Sequence, residues 1–295
     1  SDGYRAGKAS KVVIRSAEDA AAYAAARLPA TYAAVARALS EADARLVDFQ
    51  PTSLLDAGSG PGAAGWAAMQ LWGSLETAVL LDSSRIFLDL AKRLAAGGPP
   101  ALAQAERRLA DLTQADPWPR ADLVLASYVL AELPQDKIPD VVENLWSACD
   151  GLMVVVEPGS SEGWAKIKLA RDRLIALGAV LVAPCAHALP CPIQAPDWCH
   201  FVQRLPRSRD HRQAKGADRP FEDEKFIYLI AARPELALTG QAPRILAPPR
   251  QTKTAIEFKI CTPAGTCSTH TVARRDKDNY PAARRLDWGD LGLGE

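Results

Sequence analysis

The stretch Asp56-Ala-Gly-Ser-Gly-Pro-Gly62 decides the fold, because glycine recurs at every second position between Gly58 and Gly62. A short apolar run, Ser53–Asp56, leads into this loop, and an alanine-rich segment of helical composition follows it. Glycine lets the backbone turn sharply and approach a ligand without a Cβ clash. A glycine loop between a strand and a helix is typical of nucleotide-binding α/β folds. We therefore expect a ligand site at this edge of a sheet.

Outward from the loop, apolar runs alternate with helix-like segments. Besides Ser53–Asp56, the predicted strands are residues 78–82, 122–126, 152–157, 179–183 and 225–231. Helical stretches, interrupted near Pro29, precede the first strand up to about Arg45. Buried strands that alternate with helices predict an α/β fold with a parallel, doubly wound sheet.

The pattern breaks between residues 184 and 224, which are rich in Pro, Cys, Arg and His and lack periodicity. Further on, two strand-like runs bracket Thr262-Pro-Ala-Gly265 and predict a hairpin. We therefore divide the chain into three parts. These are a helical segment (1–50), a Rossmann-like domain (51–232) with a metal-binding insertion (184–224), and a C-terminal extension (233–295) whose β-hairpin contributes a ligand.

The glycine loop and the acids near it resemble the first motif of class I S-adenosylmethionine-dependent methyltransferases. By this resemblance, Asp56, Gly58, Gly60 and Gly62 surround the methionine part of the cofactor. Asp82, at the end of the next predicted strand, would accept hydrogen bonds from both ribose hydroxyls. Asp111 matches the residue that meets the adenine amine, although it could instead cap a helix, and Ser127 would lie near the methyl donor.

Two alternatives bear on this site. A dinucleotide dehydrogenase carries its glycine loop near the chain start and has a second nucleotide-binding half, and we find neither. Many amino-methylating enzymes of nucleic acids carry Asn/Asp-Pro-Pro-aromatic after the fourth strand, where this chain has Ala126-Ser-Tyr-Val-Leu130. We therefore assign no catalytic base or nucleophile, and methyl transfer stays an open question.

Three of the six cysteines, Cys185, Cys191 and Cys199, fall within fifteen residues among prolines and polar side chains. Cys149 is different, because it fits a buried small hydrophobe. Without a secretion signal, metal ligation is favoured over disulfides for the cluster. Its spacing matches neither zinc knuckles nor ferredoxins. A fourth ligand would come from Cys261, Cys267, His187 or His200.

Several blocks around these cysteines are distinctive. They are Pro184–Pro192, Asp197-Trp-Cys-His-Phe201, Gln203–Ser208, Pro220-Phe-Glu-Asp-Glu-Lys-Phe226, Cys261–Gly265 and Trp288–Leu291. Together they resemble the mitochondrial small-ribosomal-subunit methyltransferase-like assembly family, whose yeast member is ribosomal small subunit protein twenty-two, and its bacterial relatives.

This resemblance implies an S-adenosylmethionine pocket, a 4Fe–4S cluster and association with small-subunit ribosomal RNA in the small-subunit precursor. It implies cluster ligands at Cys185, Cys191, Cys199 and Cys261, and it leaves Cys267 as a free thiol. Three functions stay open at this point. The chain could be a ribosome-assembly factor, an active rRNA methyltransferase, or a zinc-stabilised methyltransferase acting on a small molecule or protein.

Charge is unevenly distributed although the net charge is zero. Residues 1–160 carry 14 Lys and Arg against 20 Asp and Glu, whereas residues 161–295 carry 21 against 15. Basic side chains follow the cysteines directly, at Arg204, Arg207, Arg209, Arg212 and Lys215. A basic surface here suits contact with RNA phosphates, and a solvated loop is the alternative.

No apolar run is long enough to span a bilayer, and the first residues lack a signal-peptide layout. From these features and the bacterial resemblance we expect a monomeric protein of the bacterial cytoplasm that makes no membrane contact.

Overall fold

The computed structural model describes residues 14–114, 117–209, 212–213, 216 and 218–292. The strands of its main sheet are β1 (Ser53–Ala57), β2 (Thr77–Asp82), β3 (Glu106–Leu109), β4 (Ala121–Ser127), β5 (Cys149–Pro158), β6 (Val180–Ala183), β7 (Phe201–Pro206) and β8 (Phe221–Ala232). The helices are α1 (Ala17–Asp43), α2 (Ala63–Leu71), α3 (Arg85–Leu94), α4 (Pro100–Ala103), α5 (Ile138–Ser147), α6 (Ser161–Ala176) and α7 (Tyr280–Ala283).

The strand order of this sheet is β3-β2-β1-β4-β5-β8-β6, with β7 also paired to β8. The first five strands are mutually parallel, and β8 runs antiparallel to both β5 and β6. A single reversed strand in the penultimate position is the arrangement of class I methyltransferases, which confirms the predicted fold class. Strand β6 is consequently parallel to β1, so its carboxyl end lies at the same edge of the sheet as the glycine loop.

The cysteine segment, residues 184–200, leaves the sheet at this edge. Phe226 of β8 pairs with Pro158 on one side and with Phe201 on the other, so β7 lies on the same side of β8 as β6. The segment is therefore a detour between two strands that follow one another along β8. Sequence periodicity failed to predict β7, because this strand reads Phe-Val-Gln-Arg-Leu-Pro without regular alternation.

Helix α1 is continuous through Pro29, so the predicted interruption there is wrong. The helix begins with a capping box in which Ser16 accepts from the Asp19 amide and the Asp19 side chain accepts from the Ser16 amide. Proline removes a single backbone donor. The apolar stripe beyond it, which includes Ala34 and Leu39, is fully buried in the main core and holds the helix in place.

The C-terminal extension forms a separate four-stranded sheet of β9 (Arg244–Ile245), β10 (Arg250–Gln251), β11 (Ala255–Cys261) and β12 (Cys267–Ala273). Strands β11 and β12 pair antiparallel and confirm the predicted hairpin. One face of this sheet packs with α7 around its own small core, which includes Phe258 and Ala283. Among the described residues, every helix is too short or too polar to cross a bilayer.

Candidate functional site

The glycine loop turns tightly at the carboxyl end of β1. Gly58, Gly60 and Gly62 all adopt positive φ angles, between 53° and 91°. The amides of Gly58 and Ser59 both donate to the Leu81 carbonyl, at 2.8 and 2.9 Å, which fixes the loop against β2. A Cβ at Gly58 would lie 2.5 Å from the Val129 side chain, so glycine is required there by packing as well as by φ.

Two carboxylates flank this loop. Asp82 accepts from the Gly60 amide at 2.8 Å and from the Ser84 amide at 2.7 Å, and burial raises its pKa to about 6. Asp56 is completely buried and accepts from the Gly65 amide at 3.2 Å, and burial raises its pKa to about 7. Within the described residues, Asp56 Oδ1 and Ser59 Oγ are buried without a hydrogen-bond partner.

The other two predicted cofactor contacts occupy the same edge of the sheet. Ser127 is half-buried at the last position of β4, where it pairs in register with Val156. The Asp111 carboxylate accepts from both the amide and the hydroxyl of Thr113, at 3.0 and 2.7 Å. Asp111 thus closes a local turn, which is close to its alternative role as a cap, and its contact with adenine stays a prediction.

A polar network that sequence reasoning missed follows β4. Tyr128 has a φ of 59°, and its hydroxyl donates to Glu224 at 2.9 Å. Arg27 of α1 donates to both oxygens of Glu224, at 3.1 and 2.7 Å. Burial and the nearby Glu224 charge raise the Tyr128 pKa well above its ordinary value. This tyrosine therefore stays neutral and is fixed in place by an anionic partner.

The four predicted metal ligands lie together. Cys185, Cys191 and Cys199 of the cysteine segment and Cys261 of β11 line one recess with an empty volume of about 490 Å³, which includes space open to solvent. Apolar side chains such as Trp164 and Ile227 complete its walls. The fold thus brings residues 62 positions apart in sequence, Cys199 and Cys261, to a common cavity.

Burial controls the protonation of two of these thiols, Cys199 and Cys261. It raises the pKa of Cys199 well above its ordinary range, with a further contribution from the thiols of Cys185, Cys191 and Cys261. It raises the pKa of Cys261 to about 12. Without a cation, the thiols of Cys199 and Cys261 are therefore held in their neutral form.

Two buried arginines hold the cysteine segment in place. Arg171 of α6 donates to the carbonyls of His187 and Leu189, at 2.9 and 2.6 Å. Arg244 of β9 donates to the Pro184 carbonyl at 3.4 Å, and to Glu41 and the Gly289 carbonyl at 2.6 Å each. Both arginines oppose the effect of burial on Cys185, since their charges lower its pKa. Nothing in the local sequence distinguishes them from surface arginines.

The two histidines considered as ligands differ in position. His187 lines the recess, with its Nε2 atom 3.5 Å from the Cys261 sulfur. The His200 ring instead stacks on Trp198, with centroids 5.3 Å apart, and meets the edge of Trp288 at 4.9 Å. Trp288 thereby packs the end of the chain against the cysteine segment.

No set of three or more His, Cys, Asp or Glu side chains in the described residues is arranged to hold a metal ion. Lining a common recess and being arranged around a single ion are different geometries. Ligands of one zinc ion converge on a point about 2.3 Å from each sulfur. The four cysteines line one recess, but in the described residues they do not form such a set. The recess that the four cysteines share therefore defines the candidate site.

The predicted basic segment is partly neutralised. Arg204 forms two hydrogen bonds with Asp223, at 2.7 and 2.8 Å, and Arg207 lies 3.4 Å from Glu222. Arg209 is exposed, and Lys215 falls outside the described residues. The acids Glu222, Asp223 and Glu224 of the Phe-Glu-Asp-Glu-Lys block are thus partners of basic side chains.

Comparison with known proteins identifies relatives of this chain. The family described as mitochondrial small ribosomal subunit Rsm22 matches residues 17–292. The human ribosome assembly protein METTL17, described as mitochondrial, is 33% identical over 288 residues. The match covers 91% of this chain and 61% of the human protein, so the chain spans less than two thirds of that relative.

Both descriptions are mitochondrial, and they contradict the predicted location in the bacterial cytoplasm. That prediction is wrong. It relied on the absence of an N-terminal signal layout and on the bacterial side of the family resemblance, and neither feature identifies a compartment.

Solved methyltransferase structures match this chain at low identity and with TM-scores below 0.5. Magnesium protoporphyrin IX methyltransferase from Synechocystis, solved with bound S-adenosylmethionine, is 16% identical over 70% of this chain and 80% of its own, with a TM-score of 0.42. An S-adenosylmethionine-dependent methyltransferase from Leishmania major is also 16% identical, over 68% of this chain and 72% of its own, with a TM-score of 0.45. The fold assignment rests on the strand order described above.

Proposed function

This chain belongs to the mitochondrial small ribosomal subunit Rsm22 family, and from that premise we propose that it acts on the small ribosomal subunit as a methyltransferase-like factor. In this proposal it binds S-adenosylmethionine at the glycine loop and a 4Fe–4S cluster in the cysteine recess. Its role is in subunit assembly, in rRNA methylation, or in both.

The observation that carries the proposal is that Cys185, Cys191, Cys199 and Cys261 all line one recess. Thiolates are the usual protein ligands of iron–sulfur clusters. A bound cluster would supply a cross-link between the cysteine segment and the β11–β12 hairpin, and its four thiolates would leave no open iron for substrate. Zinc, the alternative metal, uses the same donor type but needs its ligands closer together.

Charge at the recess also suits a metal–thiolate group. Four thiolates around iron or zinc leave net negative charge in a site with apolar walls, and such charge is costly unless it is compensated. The guanidinium groups of Arg171 and Arg244 are 4% and 2% exposed and lie close enough to lower the Cys185 pKa. They would compensate thiolate charge while they hold the backbone of the segment.

The residues at the glycine loop fit S-adenosylmethionine. Asp56 Oδ1 and Ser59 Oγ are buried polar atoms that lack partners in the described residues, so they can accept or donate hydrogen bonds to a ligand. Positive φ angles at Gly58 and Gly60 let the backbone approach it closely. Asp82 would hold the ribose hydroxyls. The cofactor would supply an electrophilic methyl group. We assign no residue as the base that would deprotonate the methyl acceptor.

RNA contact requires exposed basic side chains. We propose that the surface around α7 provides them rather than Arg204 and Arg207, which already have acidic partners. Five exposed basic residues lie within twelve positions of the chain there, and we call them the C-terminal basic group: Arg274, Arg275, Lys277, Arg284 and Arg285. Phosphate contacts of this kind supply most of the sequence-independent affinity for RNA.

Metal and acid-labile sulfide analysis of protein prepared without air tests the cluster. We expect iron and sulfide in equal amounts, about four of each per chain, as in a 4Fe–4S cluster. One equivalent of zinc without sulfide would replace the cluster with the zinc alternative. Incubation with labelled S-adenosylmethionine and small-subunit rRNA would then separate methylation from a role in assembly alone. Absence of binding to both the cofactor and the RNA would overturn the proposed function.

A further inference from the structure

Cys267, which the family resemblance leaves as a free thiol, lies directly across the hairpin from Cys261. The two residues are register partners in the antiparallel pair of β11 and β12. The Thr262 amide donates to the Thr266 carbonyl at 2.9 Å, one position closer to the turn. A bond in this position marks Cys261 and Cys267 as a non-hydrogen-bonded pair, whose side chains share one face of the hairpin.

This pairing has the spacing of a disulfide. The Cα atoms of non-hydrogen-bonded antiparallel partners lie about 4.5 Å apart, which is within the range of about 4.4–6.8 Å that disulfides span. Both thiols are free in the structure. Their electrostatic contact is close enough for the Cys267 thiol to contribute to the raised pKa of Cys261.

The two thiols differ in access. Cys261 is 8% exposed and lines the metal recess, whereas Cys267 is half-buried and absent from the lining of that recess. An oxidant from solution therefore reaches Cys267 first. Cys261 therefore lines the recess and also has the Cys267 thiol as its cross-strand neighbour.

We propose that Cys261 and Cys267 form a disulfide when the recess holds no metal, with a small-molecule disulfide such as oxidised glutathione as the oxidant. The Cys267 thiolate attacks one sulfur of oxidised glutathione and releases one glutathione thiolate. Cys261 then passes its proton to the released glutathione thiolate, attacks the Cys267 sulfur and releases the second glutathione thiolate. Both cysteines are oxidised, one glutathione disulfide is reduced to two thiols, and the two protons pass to the released thiolates.

The consequence is control over metal loading. The disulfide withdraws Cys261 from the proposed set of four ligands and leaves the three thiols of the cysteine segment unchanged. The hairpin closes on itself without a change of register, so the fold need not rearrange. Disulfide formation concerns the metal-free chain and stands apart from the proposed function. Protection of the pair by bound metal rests on that function.

Peptide mapping of the full chain tests the proposal. Trypsin would release Ile260–Arg274, which contains both Cys261 and Cys267, while the other three thiols fall together in Leu174–Arg204. Metal-free protein would be treated with oxidised glutathione, alkylated without reduction and digested. We expect Ile260–Arg274 to lose two hydrogen atoms in mass and to escape alkylation, while Leu174–Arg204 is alkylated at all three cysteines.

Controls distinguish this pair from other oxidation. The Cys267→Ser variant should show no internal link in Ile260–Arg274, and metal-loaded wild-type protein should form it at least tenfold more slowly. A peptide cross-linked between Leu174–Arg204 and Ile260–Arg274 would overturn the proposal, because it would show pairing with Cys191 or another thiol of the segment. Equal rates in loaded and metal-free protein would instead contradict ligation of Cys261 while leaving the disulfide in place.

Discussion

Arg171 donates from Nη2 to the Leu189 carbonyl at 2.6 Å, so a helix of the methyltransferase domain holds the middle of the cysteine segment. Arg171→Met should release this backbone and remove a buried positive charge from the recess. We expect metal and sulfide content to fall by at least half, while far-ultraviolet circular dichroism keeps its shape. Arg173→Met is the matched control, since Arg173 of the same helix is half-buried, pairs with Glu143 of α5 and is not among the residues that line the recess. Equal losses in both variants would contradict the role of Arg171.

Replacement of single cysteines separates ligands from the neighbouring thiol. Cys261→Ser should abolish the visible absorbance of a cluster and most of its iron, because serine is a poor ligand for iron–sulfur clusters. Cys267→Ser should leave both unchanged, since this thiol does not line the recess. Iron and sulfide assays on protein purified without air provide the measurement. Loss of the cluster in Cys267→Ser alone would reverse the assignment.

The glycines of the loop should differ in their tolerance of alanine. Gly58→Ala combines a positive φ with a Cβ that would lie 2.5 Å from Val129, whereas Gly60→Ala meets open space. We expect Gly60→Ala to cost about 1–2 kcal/mol in free energy of unfolding, from φ alone, and Gly58→Ala to cost more. Urea unfolding followed by circular dichroism measures both. The double variant Gly58→Ala/Val129→Ala should recover part of the loss, and additive effects would contradict the predicted clash.

Binding of S-adenosylmethionine should depend on pH through Asp82. Burial raises its pKa to about 6, so the carboxylate that would accept from the ribose hydroxyls forms only as the pH rises through that value. About one carboxyl in ten is ionised one unit below the pKa, so we expect roughly tenfold weaker binding at pH 5 than at pH 7. Isothermal titration calorimetry gives the Kd.

Two variants identify the group responsible. Asp82→Asn should bind at least tenfold more weakly at pH 7 and lose most of the dependence. Asp111→Asn should keep it, because Asp111 makes a local turn with Thr113. A full pH dependence in Asp82→Asn would assign the titration to Asp56, whose pKa burial raises to about 7.

RNA binding should depend more on the C-terminal basic group than on Arg204 of β7 and Arg207, which directly follows β7. The double variant Arg274→Gln/Arg275→Gln should weaken binding to small-subunit rRNA and lower the salt slope by about two, one for each lost phosphate contact. Lys92→Gln/Arg93→Gln removes the same charge from the exposed end of α3 and serves as control. Filter binding across a salt series measures the slope. A larger effect from Arg204→Gln/Arg207→Gln would return the contact to the segment first predicted.

Sequence predicted those parts of the molecule whose neighbouring residues show a regular pattern of residue types. Buried strands such as β4 and β5 are largely apolar runs. The glycine loop has positive φ at three positions, which favours glycine at each of them. The edge strand β3 was not predicted, since Glu106–Leu109 reads Glu-Arg-Arg-Leu and is largely exposed. Helix α1 passes through Pro29 because tertiary packing outweighs one missing hydrogen bond. Arg171 and Arg244 escaped notice because they contact the cysteine segment through its backbone carbonyls, which no side-chain pattern reveals.

Arg244 contacts both Glu41 of α1 and the carbonyl of Gly289, so it joins two segments that are far apart in the order of synthesis. A nascent chain cannot complete this junction until Gly289 has left the ribosomal exit tunnel. The methyltransferase sheet, in contrast, can form as soon as β8 emerges. The cysteine recess must therefore wait, with its thiols open, for the hairpin that carries Cys261. Translation itself would then set the order in which the proposed metal site is completed.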